Sequence, residues 1–167
     1  MTHIQRKFNA FVEGYSTHLE VEGVTVPNVQ DHVEELKSGG LGGAVDVPLG
    51  IQKMEAGIKI NSRQKNIMKH VGLAPGVHRK ITFRSVNVSE IDGGQEDEVI
   101  SITGRLNANN GGWEAQNVPK DDYKIGTIFF YKHTISGEVV HHIDLKNHIC
   151  IVDGVDHWAD HRSGLGF

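Results

Sequence analysis

The chain has 167 residues, room for one domain of ordinary size and none for a second, so residues 1–167 are expected to form a single unit. Apolar residues make up 38% and charged residues 23%, and 20 glycines against 4 prolines describe a turn-rich globular chain with a bias toward β structure, not a disordered one. A formal charge of -4, from 17 Lys and Arg against 21 Asp and Glu, leaves no basic surplus for gripping nucleic acid by counterion release.

Cys150 is the lone cysteine, which excludes an intrachain disulfide and a thiolate zinc site and predicts a buried thiol. Residues 1–8 carry Arg6 and Lys7 with no apolar run behind them, so no leader peptide is expected. The longest convincing apolar stretch, 128–131, is far too short to cross a bilayer, which predicts a soluble protein without a membrane anchor.

In chain order, period-two alternation over 8–12 and again over 18–26, around Gly14 and Gly23, predicts two or three short strands joined by tight turns. Pro27 interrupts, and 29–36 resumes as extended chain with Val29, Asp31 and Val33 on one face and His32 and Glu34 on the other. Ser38, Gly39, Gly40, Leu41, Gly42 and Gly43 then form a flexible glycine loop. Over 52–60, Met54, Ala56, Ile58 and Ile60 alternate with Lys53, Glu55 and Lys59, predicting a half-buried strand with a bulge at Gly57.

Asn61 or Ser62 is placed to cap a helix running to about Val71, with Ile67, Met68 and Val71 as its apolar stripe and Gly72 as its stop. Strands follow over 77–88, with Ile81 and Phe83 on one face and Lys80, Thr82 and Arg84 on the other, and over 98–106. The acidic turn 92–97 joins them as an antiparallel hairpin. Residues 107–122 read as a long loop containing Trp113. Ser136 and Gly137 close a second hairpin between 125–135 and 138–145. A last strand over 147–152 leads to Asp153 or Asp156, either of which could cap a final helical turn carrying Trp158. The sum is a mainly β protein, a sandwich or barrel of antiparallel strands with one α-helix.

Three chemical readings fall away on residue type. The glycine loop lacks the Lys-Ser or Lys-Thr pair of a phosphate loop, and Val45, Val47 and Pro48 put extended chain where a helix is required. Among the 11 histidines, His157 and His161 would share a helix face, but Trp158 stands where a zinc protease places its Glu, and His141 and His142 as strand neighbours point to opposite faces. No Gly-x-Ser-x-Gly elbow, flanked cysteine or paired carboxylate marks a nucleophile, so no catalytic residue, metal or cofactor is expected.

Several segments resemble, in this order, the major tail tube proteins of P2-type contractile phages: 24–37 (VTVPNVQDHVEELK), the glycine loop 39–43, 46–50 (DVPLG) and 54–60 (MEAGIKI). Near the end, Ile143, Asp144, Asn147, the run 152–156 (VDGVD), Arg162 and 164–167 resemble the family's closing pattern, with Asp153 where the family often has Asn. The resemblance implies a hexameric ring whose inner strands join in one closed β-barrel, and rings that stack into a tube conducting DNA from virion to host without specific binding. It also implies a sheath protein, a tail terminator and a baseplate initiator as partners. By the same analogy, residues 38–43 bridge subunits or rings, and Glu34, Glu55 and Thr103 are candidates to face the lumen. The alternatives are the tube of a tailocin or type VI-like secretion apparatus, and, in a different class, a monomeric β-barrel that binds a ligand or metal.

Overall fold

The alternating segments do become strands: in a computed structural model describing residues 2–167, antiparallel β structure dominates. The strands are β1 (His3–Val12), β2 (Tyr15–Ser16), β3 (Val21–Thr25), β4 (Asp31–Lys37), β5 (Ala44–Ile51), β6 (Ala56–Ile60), β7 (Arg79–Ser89), β8 (Gln95–Asn109), β9 (Asp121–Ile135), β10 (Glu138–Asp144), β11 (Ile149–Val152) and β12 (Val155–Asp156). Two short helices, α1 (Lys65–Met68) and α2 (Ala159–Leu165), complete the chain.

The main sheet runs β12-β11-β10-β9-β8-β7-β1-β2, with β6 and then β3 branching from β9. The branch exists because β9 changes neighbours midway. Its first residues, 121–125, lie beside β6, and its last, 130–135, beside β10. Between these halves the ladder with β8 slips: Thr103 pairs with Phe130 but Arg105 with Gly126, so Gly104 alone faces three residues of β9. Thr127, within that bulge, has φ +50°. Gly104 cannot carry a side chain here, since a Cβ would stand 2.7 Å from the Gly126 carbonyl oxygen and 2.8 Å from Ile125 Cγ2. The kink re-aims the sheet and lets it fold over a single core.

That core is built from the inward residues of both halves, among them Val12, Ile58, Ile60, Ile81, Ile102, Leu106, Tyr123, Ile125 and Ile143. The expected inward sets, Met54/Ala56/Ile58/Ile60 and Ile81/Phe83, are all buried. Strict alternation fails along β9, where Ile128 and Tyr131 are both core residues because the bulge inserts extra chain. Gly57 is no bulge; it pairs regularly with Lys124 on one side and Thr25 on the other, and the slip lies in the β3–β6 ladder between Val21 and Gly23.

The mid-chain helix shrinks to the one turn of α1. Gln64, not Asn61 or Ser62, is its N-cap residue, extended and without a side-chain capping bond. Arg63 is drawn out of any helix by the fully buried Asp121: its Nε and Nη2 donate to the two carboxylate oxygens at 3.3 and 3.2 Å, and Nη2 donates to the Gly111 carbonyl at 2.8 Å. Asp121 also accepts from the Gly111 amide at 3.0 Å. This clamp shortens the predicted 107–122 loop, since β8 continues to Asn109 and β9 begins at Asp121. At the other end, Trp158 occupies the N-cap position of α2, while Asp156 instead accepts from the Trp158 and Cys150 amides. Cys150 is half-buried, under the edge of the core.

Gly104→Ala is expected to lower stability by about 2 kcal/mol through overpacking against backbone, read as a lower denaturant midpoint at unchanged slope. Arg63→Ala, which strands a buried carboxylate, is expected to cost about 3 kcal/mol in the same measurement.

Candidate assembly surface

Residues 21–60 form one long ribbon folded on itself. Val24 pairs with Ile58, Glu35 with Asp46 and Lys37 with Ala44, so the pairing continues in nearly one register from the body to the turn at 38–43. The inner part, β3 and β6, belongs to the main sheet. The outer part, β4 and β5, pairs only with itself and stands off as an arm. From Gln30 to the tip its strands reach about 35 Å at the usual rise per residue.

The arm has no core. Every residue of β4 and of the tip is exposed, and Val33, Leu36 and Leu41 there, with Val45 and Leu49 of β5, are each 47% or more open. A two-stranded ribbon is marginally stable alone in water, and a row of exposed aliphatic side chains raises the cost of leaving it uncovered. The register separates two faces. Glu34, Leu36, Val45 and Val47 share one, and Val33, Glu35, Lys37, Asp46 and Pro48 the other. In the tip, Gly42 has φ +65°, and a Cβ at Gly39, Gly40 or Gly43 would meet nothing within 4 Å. Within the turn the Leu41 amide donates to Ser38 O at 3.1 Å, and the glycines leave the loop open to a neighbour.

A second unfinished border lies on β1. Its one side pairs with β7 along its length, while β2 covers only Phe11 and Val12 on the other, leaving the edge from His3 to Asn9 without a strand among the described residues. The opposite border of the sheet is closed by its own chain: His157 N donates to Cys150 O at 2.8 Å, and Asp156 takes the Cys150 amide.

The three lumen candidates fall in different places. Glu34 sits on the more apolar face of the arm. Glu55 is exposed at the root of the ribbon, 2.9 Å from Lys53, whose hydrogen bond and charge hold its carboxyl below the ordinary value. Thr103 is half-buried on the outward side of β8, paired with Lys80.

Titratable groups that converge elsewhere serve the interior. Glu98 accepts from His133 Nε2 at 2.6 Å, from Ser85 Oγ at 3.1 Å and from Asn87 at 3.3 Å. Burial would raise its pKa, but these donors outweigh burial and hold the carboxyl below its usual range. Ser85 donates to the carboxylate and not to the imidazole, so no base stands ready to activate it. His141 lies inside, 6.2 Å from His133, its buried Nδ1 without a partner, while His142 packs edge-on against Phe130 on the outer side. His157 precedes α2, so it and His161 do not share a helix face. No three His, Cys, Asp or Glu side chains converge as a metal site among the described residues.

An exposed arm and an open strand edge are surfaces that another strand could cover. The sequence profile of the phage tail tube protein FII family matches residues 3–166. The chain belongs to that family. It is a structural subunit of a tail tube and a component of the virion tail. The tail tube protein of Escherichia phage P2 is 24% identical to it over 163 residues, covering 95% of this chain and 94% of that one. Two solved chains share the fold. One, from the sheath–tube complex of the extracellular contractile injection system PVC in its extended state, has a TM-score of 0.51 at 8% identity and covers 77% of this tail tube protein and 87% of its own length. The other, from the sheath/tube terminator of that system, has a TM-score of 0.51 at 9% identity, with 77% and 92% covered.

What sequence reading missed was mainly pairing. Val45, Val47 and Pro48 were read as extended chain, but their pairing with β4, the Glu35/Asp46 pair and residues 3–7 of β1 were not marked. Folding the sequence about Gly40 and Leu41 sets Glu35 against Asp46 and would have found the first two. Residues 5–7, all polar, carry no alternation to find.

Burial, helped by His133, pulls His141 below the ordinary imidazole value. The unfolded chain therefore binds a proton that the folded chain resists, and stability present above about pH 6.5 is lost as pH falls below it. The thermal midpoint is expected to drop between pH 7 and pH 5, and to drop less in His141→Gln.

Proposed function

We propose that six copies of this tail tube protein close into a ring, that rings stack into the inner tube of a contractile phage tail, and that DNA passes through the channel without specific binding. The observation that carries this reading is the coreless arm of β4 and β5, which gains stability only against another molecule. The free edge of β1 supports ring closure, because a neighbouring strand there would satisfy amides and carbonyls that otherwise face water, and a closed ring leaves no edge over.

The role is mechanical, with no bond made or broken. Residues 38–43 bridge one ring to the next, a span suited to an arm of about 35 Å. Glu34 and Glu55 are proposed to face the channel, where like charge with phosphate prevents adhesion. Thr103, flanked by Lys80 on its outward face, suits a protein contact better than a DNA channel. A sheath and a terminator, named for the injection-system complexes that share the fold, are proposed as partners here, together with a baseplate initiator. An injection tube without a genome is the runner-up. The P2 protein, aligned over 95% of the chain, favours the phage.

Removing residues 39–43 and rejoining the strands with a two-residue turn is expected to leave a folded subunit with unchanged thermal midpoint but to abolish long tubes in electron micrographs of concentrated protein. Tubes of normal length from that variant would refute the bridging role.

A further inference from the structure

The side of the main sheet that faces away from the core carries a surplus of cations over the two carboxylates there, Glu13, which lines a shallow groove with Lys80, Thr82 and Arg84, and Asp97, paired with Val86. Lys80 and Arg84 of β7 lie on it with Thr82 between them, Lys132 lies two strands away across Ser101, and Lys7 lies on β1. Lys7, Lys80 and Arg84 are exposed, and none of the four cations is paired with a carboxylate among the described residues. Phe11, beside Thr82, adds a half-buried aromatic surface among them, its ring 5.9 Å from the Arg84 guanidinium carbon.

The arm carries the complement. Its two strands hold Asp31, Glu34, Glu35 and Asp46 against Lys37 alone. On one face Glu35 stands directly across from Asp46, a like-charge pair that weakens an isolated ribbon, relieved only in part by Lys37 at 3.3 Å from Glu35. Lys80 and Arg84 are four residues apart on β7, about 13 Å along the strand, and Glu35 and Asp46 lie side by side on the two strands of the arm, so the doubled acid can meet a row of bases.

Resting on the tube assembly proposed above, we infer that the outward face of β7 to β9 receives the acidic face of the arm of a second copy, with Glu35 over Arg84 and Asp46 toward Lys132. The contact is between molecules. Within one chain the arm's root, at Val29, Asp31 and Ile51, lines a groove of about 690 Å³ with His141, Ile143 and Cys150, on the core-facing side of the sheet. The cations lie on the other side. A cation on the Glu35/Asp46 pair removes a repulsion that the free subunit must bear, so assembly is stabilised at both partners and weakens with salt.

The test compares full-length wild type, an arm variant (Glu35→Lys with Asp46→Lys), a face variant (Lys80→Glu with Arg84→Glu) and the four changes combined. Pelleted tubes are counted by electron microscopy, and smaller assemblies are followed by sedimentation velocity at low salt. Each pair of changes is expected to cut tube mass at least tenfold with the thermal midpoint kept, and the combined chain to recover most of it. An arm or face variant that assembles like wild type, or a combined chain that does not recover, overturns the contact. So does a face variant that assembles normally but loses affinity for duplex DNA, which would make this face a phosphate site. If wild type neither forms tubes nor self-associates, the tube reading itself falls. If wild type forms tubes indifferent to these charges, only the docking face does.

Discussion

A backbone amide or carbonyl in a sheet needs a partner, and a strand on the border of a sheet has a row of them turned outward. Most of this fold can be followed from how that requirement is met or left open. The β11 side is closed by the chain's own turn into α2. The β1 side is left open over most of a ten-residue strand, and the arm is open along both of its edges. The arm and the β1 side are thus unpaired borders, and β3 likewise pairs only with β6.

The body is stiff where the arm needs an anchor. Gly104 and the three residues of β9 opposite it turn the sheet so that β6 can pair with one half of β9 and β10 with the other. The ribbon therefore leaves the body from a strand fixed on both sides, and Met54, Ala56, Ile58 and Ile60 nail that strand into the core. The Arg63–Asp121–Gly111 clamp holds the next stretch of chain against the same region. Force applied to the arm would thus reach the main sheet through buried contacts.

Much of this was legible in the residues. Alternation gave the inward sets of β6 and β7, and Ser136–Gly137 placed the β9–β10 turn, because a half-buried face and a two-residue turn each leave a local mark. The α1 helix was overstated for a physical reason: the local periodicity reads as helical, but neither Asn61 nor Ser62 caps it, and Arg63 is claimed by a buried carboxylate 58 residues away, which no window of sequence contains. The end of β8 and the bulge on β9 were missed for the same reason, since both depend on what lies opposite. At the candidate surface, the glycine tip and Glu34 could be named from sequence, whereas the Glu35/Asp46 pair and the cation face are facts of register and appear only once strands are laid side by side.

Pro48 deserves a place beside those charges. It stands in β5 across from Val33, where it offers no amide to a passing strand, and one step along the same face the opposed carboxylates repel any ribbon of like kind. Two free arms brought edge to edge would meet a gap in the ladder and a doubled negative charge. An exposed ribbon so marked resists pairing edge to edge with its own kind, which guards a concentrated population of subunits against disordered fibrils.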